Sequence, residues 1–301
     1  MWLLPVICSA FFLGIYDIFK KQSLSHNAVF PVMFISSATA LCVMLPLILL
    51  SQNGAIAKTS LFFVPFSGGR VQILIFIKSC IVQTSWIFAF FAMKHLPISI
   101  VSPIRATAPV WTLLGAILLF GERLSLLQWA AIVLIFCCLF AYSRVGKREE
   151  IRFARNKWVF FIFAATIFAA ISALYDKYLL NTLGIHRMEV QAWFSVYQFI
   201  LILMLTCVFY LPIRKHKYPF QWQWTIPLIG ICLLFADFFY FYALSLPQAL
   251  IAIISPVRRS AVIVSFVAGA VIFKEKNIAR KAVILLGILC GIALLYVTNG
   301  L

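Results

Sequence analysis

Three arginines, one lysine and two aspartates stand inside long apolar runs of this 301-residue chain. A charged side chain there costs ~2.5–3.5 kcal/mol even on the lenient insertion scale, so these are the residues whose chemistry needs an account. Arg105 and Arg258 occupy separate runs. At ~1.5 Å rise per residue they lie about 10 Å and 15 Å from opposite membrane surfaces. Arg259 adjoins Arg258 but points about 100° away around a helix, so at most one of the two faces a shared cavity directly. Asp237 is the only carboxylate at comparable depth. It could pair with Arg258 across the short turn at 245–248 and lock a hairpin. That pair leaves Arg105 and Arg259 without a counter-charge, and unpaired cations in a low-dielectric bundle need an anion. A bound carboxylate or phosphate would supply one, and each arginine offers either a bidentate fork.

Weaker candidates surround this set. Lys78 is close enough to a run's end to reach the interface along its own stem, or else to face a central site. Gln83, Trp86, Trp111 and Tyr240 would line a cavity or pack between helices. Asp176 and Asp237 are the acids placed to carry a coupling proton. Asp17 has Lys20 and Lys21 at helical spacing, which reads as a local pair at a helix end. Glu122 and Glu275 fall where runs finish and read as turn-ordering residues.

Other chemistry is excluded. The four histidines (His26, His95, His186, His216) fall in loops or at run ends without ligand spacing, and the eight cysteines form no CxxC pattern. No Ser/His/Asp set and no glycine-rich phosphate loop can be assembled. No catalytic residue, metal or cofactor is therefore expected, and the chain does not read as an enzyme.

The elements that must hold these residues are membrane helices. The composition is 64% hydrophobic and 11% charged, far from the roughly one-quarter charged residues of soluble domains. Runs long enough to cross ~30 Å of hydrocarbon are expected at 2–20, 31–50, 73–93, 97–119, 125–143, 158–180, 190–211, 224–244, 248–272 and 280–298. The first lacks a basic n-region and a cleavage site, so it reads as a span and not a signal peptide. One strongly polar stretch, residues 144–157 (RVGKREEIRFARNK), divides the chain at its midpoint.

The two halves echo each other. SPIRATAPVWTLLGAILLFGE at 102–122 aligns without gaps on SPVRRSAVIVSFVAGAVIFKE at 255–275, with six identities in 21 positions. This places Arg105 opposite Arg258. Tyr16-Asp17 is echoed by Tyr175-Asp176 near the end of the sixth run. Five spans per half is an odd number, so the second half enters the membrane from the opposite side. The expected fold is an all-α integral membrane protein, with ten transmembrane helices in two five-helix inverted-topology repeats. The first repeat is 1–143, the basic linker 144–157 and the second repeat 158–301. Many alternating-access carriers are built this way.

That layout, with Phe120-Gly121-Glu122-Arg123-Leu124 following Pro109-Val110-Trp111, resembles the EamA-type drug/metabolite transporter superfamily. Lys274-Glu275-Lys276 replaces Gly-Glu-Arg in the second half. The resemblance implies secondary transport of a small metabolite. The adjacent Arg258 and Arg259 also resemble the phosphate-binding pair of the sugar-phosphate translocator branch.

The formal charge of +17 is spread over loops and forms no continuous basic and aromatic surface, so nucleic acid is not an expected partner. Sixteen Lys and Arg fall in loops after odd-numbered spans, and five in loops after even-numbered ones. By the positive-inside rule, odd-numbered loops are cytoplasmic and both termini lie outside an inner (plasma) membrane. The expected partners are a small-molecule solute and membrane lipid, and the expected state is a monomer.

Overall fold

The computed structural model describes residues 2–24, 27–96, 104–105, 107–144, 157–211, 220–246, 249–261 and 264, with 283–284, 286–291, 293–294 and 297 from the last segment. Among these every regular element is a helix. The helices are α1 Leu3–Leu24, α2 Val29–Gln52, α3 Gly69–His95, α4 Ala108–Phe120, α5 Leu126–Arg144, α6 Lys157–Lys177, α7 Arg187–Leu205, α8 Thr225–Leu244 and α9 Ile251–Arg259. Helix α6 runs on into a π turn at Tyr178–Thr182 and α7 into another at Thr206–Tyr210. Six helices (α1, α2, α3, α6 and α7 with their π turns, and α8) are long and apolar enough to cross a membrane. In hydrocarbon a helix is the element that satisfies every backbone group within its own segment. Side chains such as Leu118, Leu119 and Leu126 are turned fully outward, as lipid-facing residues are.

The fourth expected span is not one unbroken helix. The backbone turns at Thr107, and α4 starts only at Ala108 with Pro109 in its first turn. A proline there loses no intrahelical hydrogen bond and has its φ already set for a helix, so it starts α4 and does not kink it. The remaining 13 residues rise only about 20 Å. In the ninth expected span, α9 ends at Arg259 and the chain turns at Ser260 and Ala261. Helical backbone is present again at Val264. Residues 97–103 (with Pro103), the linker at 145–156, the rest of the ninth span (with Glu275) and most of the tenth lie outside the described residues.

The packing has a regular plan. Helix α1 lies along α8, α3 along α6, and α2 against α7; α4 meets α9. In addition, α1 touches α9 while α6 touches α4, and α2 touches α8 while α7 touches α3. Exchanging each helix with the one five places later maps these pairings onto one another. The largest buried cluster joins Tyr240, Phe241 and Leu244 of α8 to Ile253, Ile254 and Val257 of α9, with Leu113 of α4 and Ile132 and Ile135 of α5 against them.

Close approach requires glycine at two points. A Cβ on Gly14 of α1 would stand 2.8 Å from the carbonyl oxygen of Ala261, so α1 rests directly on the turn that ends α9. A Cβ on Gly230 of α8 would stand 2.2 Å from the carbonyl oxygen of Ser36 in α2. That neighbour is backbone and cannot rotate aside. Gly230→Ala should therefore destabilise the protein by about 1–3 kcal/mol through overpacking. The check is thermal unfolding in detergent, and an unchanged midpoint would refute the close contact.

Candidate functional site

The helices enclose a cavity of about 180 Å³. Its walls come from α1, α3, α4, α6, α7, α8 and α9, together with Arg105. Of the residues singled out in the sequence, Arg105, Arg258, Arg259, Asp237, Lys78, Trp86, Tyr240 and Asp176 all line it. Arg258 and Arg259 thus both reach the wall, against the expectation that only one would.

Two do not line it. Gln83 is buried beside the cavity wall, and neither its Oε1 nor its Nε2 has a hydrogen-bond partner. Trp111 is 38% exposed on the outside of α4, with its ring edge-on to Phe163.

Two ion pairs sit in the wall. Arg258 donates from Nη2 to Asp237 Oδ1 at 2.5 Å, and its guanidinium lies 4.1 Å above the ring of Tyr240. This is the hairpin pair that the sequence allowed. The other was not legible: Lys78 Nζ lies 2.6 Å from Asp176 Oδ1, with the side chains 3% and 6% exposed. Lys78 therefore does not reach for the interface. It is held inside by a partner on α6, with the rings of Phe194 and Phe241 within 5 Å of its ammonium.

Lys20 is the residue the sequence misplaced. The spacing to Asp17 read as a local pair at a helix end, yet Lys20 is 2% exposed and lines the cavity. Its Nζ lies 3.8 Å from the centre of the Phe90 ring and donates to Tyr16 Oη at 3.4 Å. Among the described residues, Lys20, Arg105 and Arg259 have no carboxylate within ion-pair distance. The hydroxyl of Tyr240 and the Nε of Arg258 are buried without a hydrogen-bond partner.

Local sequence explains how the arginines come to this place. Thr107 donates its hydroxyl to the Ile104 carbonyl at 2.7 Å, and Ser260 donates its own to the Val257 carbonyl at 2.6 Å. The backbone N–H groups of the same two residues bond those same carbonyls. Thr107 and Ser260 correspond in the internal repeat, as do Ile104 and Val257. Each half thus interrupts its helix just after the matched arginine, with a short hydroxyl side chain satisfying a freed carbonyl.

Two buried carboxylates tie segments together at one end of the bundle, where even-numbered helices finish and odd-numbered ones begin. Helix α4 ends at Gly121 in a left-handed conformation, φ 60°. The next residue, Glu122, accepts hydrogen bonds from the N–H groups of Ile251 and Ala252 at 2.9 and 3.0 Å and is paired with Lys177. Glu122 does not merely order its own turn: it caps the N-terminus of α9, where the helix dipole favours an anion. Glu189, wholly buried in the first turn of α7, accepts from the N–H and the hydroxyl of Ser67, each at 2.7 Å. The sequence reading passed over it because it stands at a span boundary, where acids are common. At the opposite end, the described contacts between early and late helices are neutral: Ser23 with Thr225, Asn27 with the Gln221 N–H, and His95 stacked on Trp158.

The cavity sets charged side chains among apolar ones such as Leu13, Val82, Phe194 and Phe241, inside a bundle of apolar helices. Residues 1–144 match the model of the EamA-like transporter family. The likeness covers the first of the two halves of the chain. EamA-like proteins are membrane transporters, and the matched half carries apolar helices long enough to cross a membrane. A solved crystal structure, described only as that of a protein, matches with a TM-score of 0.69 at 15% identity. The match covers 97% of this chain and 96% of the other, and at that identity the likeness establishes a shared fold. No curated protein matches.

Proposed function

We propose that this EamA-like protein is a secondary carrier that moves a small anionic solute across the inner membrane by alternating access. The observation that carries the anion is the charge imbalance of the cavity. Five cations line it against Asp176 and Asp237, and among the described residues the two ion pairs leave Lys20, Arg105 and Arg259 without an ion-pair partner. The exchange of helix pairings between places one to four and six to nine supports two inverted five-helix repeats, 1–143 and 158–301, joined by 144–157. The ten-span reading adds to the six long helices the interrupted fourth and ninth segments, α5, and the apolar run at 280–298. Discontinuous helices meeting near the midplane are how such repeats present backbone and side-chain groups to a solute.

The deciding experiment is flux of small carboxylates and phosphate esters into proteoliposomes. Arg258→Ala should weaken solute binding by at least about tenfold, as expected when one partner of a desolvated charge contact is removed. Arg258→Lys should restore binding only in part, because the fork is lost. Full transport by the Arg105→Ala/Arg258→Ala double variant would overturn the anion reading.

The charge bias of the loops supports odd-numbered loops in the cytoplasm. Alkaline phosphatase fused after Leu301 should then be active, and silent when fused within 144–157. The reverse pattern would place both termini inside.

A further inference from the structure

The unpaired positive charge occupies one end of the cavity. Lys78, Asp176 and Tyr240 stand toward the ends of α3, α6 and α8 that carry the Glu122 and Glu189 ties. Lys20, near the C-terminus of α1, and Arg105, ahead of α4, stand toward the other end, with Arg259 at the close of α9. Asp17 acts through space on Lys20 and Arg259, and among the described residues is the one further carboxylate in their field. Counting it, five cations face three carboxylates, and two positive charges remain.

We infer that the solute is a dianion, a dicarboxylate or a phosphate monoester, whose two negative charges are received by Lys20, Arg105 and Arg259. This rests on the reading of the cavity as the site of an anion carrier and adds to it the charge of the cargo. A monoanion leaves one buried cation uncompensated, which a low-dielectric site disfavours. A cavity of about 180 Å³ has the room that a short carbon skeleton with charged ends requires. Three cations from three separate segments can also grip two charged groups set apart on one molecule. The unpartnered Tyr240 hydroxyl and Arg258 Nε remain as donors for neutral oxygens of the same solute.

The test uses the full chain in detergent and in proteoliposomes with four probes: succinate, glycerol 3-phosphate, lactate and glycerol. Ligand-induced thermal shift should report at least one dianion binding at least about tenfold more tightly than lactate, with glycerol giving no shift. Response to succinate alone identifies a dicarboxylate site, and response to glycerol 3-phosphate alone a phosphate site. In the latter case binding should weaken below pH ~6, where the ester loses its second charge. Lys20→Gln should bring the dianion down toward lactate with little change in lactate itself. Lactate binding as tightly as both dianions overturns the dianion inference and leaves the anion carrier standing. Failure of all three anions to shift the midpoint or to enter the vesicles overturns both.

Discussion

Replacing Glu122 by alanine should cost about 3–5 kcal/mol, the range for removing one partner of a buried charged pair. The Glu122 side chain is 2% exposed and serves three groups at once: the N–H of Ile251, the N–H of Ala252 and the ammonium of Lys177. Its loss leaves Lys177 buried without a counter-charge and two N–H groups of α9 without acceptors. In thermal unfolding this should read as a midpoint lower by roughly 10 °C. Glu122→Gln should recover part of the loss, since the amide oxygen still accepts from the helix end but no longer balances Lys177. Adding Lys177→Met to Glu122→Ala should also restore stability. A midpoint within about 2 °C of the parent for Glu122→Ala would show that water replaces the carboxylate freely.

Asp176→Asn is expected to be comparably severe. Lys78 is 2% exposed and its ammonium sits between two phenyl rings and Asp176. Neutralising its partner strands a charge, again at about 3–5 kcal/mol. The double variant Lys78→Met/Asp176→Leu removes both charges and should fold nearly as well as the parent, because buried pairs are commonly replaceable by apolar residues of similar size. If Asp176 carries a coupling proton instead, the result differs in kind. Asp176→Asn then unfolds at the parental midpoint, exchanges solute normally and loses only uptake driven by a pH gradient. The two measurements together separate a structural pair from a proton site.

The sequence made some of this plain, and the physical reasons for the rest are specific. Long apolar runs gave the six full-length helices because hydrocarbon imposes both composition and length. The Arg258–Asp237 pair was visible because the two residues flank one short turn at similar depth. Lys78 and Asp176 lie on helices far apart in the chain, and no local spacing links them. Lys20 was misread because an acid three residues before a lysine is the usual mark of a solvated helix pair, while burial is set by neighbours such as Phe90 on α3. For Trp111 the choice between cavity and packing stayed open, because a helix apolar on every face has no stripe to mark its inner side. The interruptions at Thr107 and Ser260 were hidden within continuous hydrophobicity, although a hydroxyl residue followed by proline at 109 is a helix-start signal.

The contact at Gly14 has a mechanical consequence. At Gly14 the backbone of α1 bears on the Ala261 carbonyl and on the Cβ of Val264, neither of which can rotate aside. Tyr16 and Lys20 follow on the same rigid helix and end in the cavity. A displacement of the interrupted end of α9, where the arginines sit, would therefore bear on α1 as a load bears on a lever, with the Lys20 ammonium on its far arm.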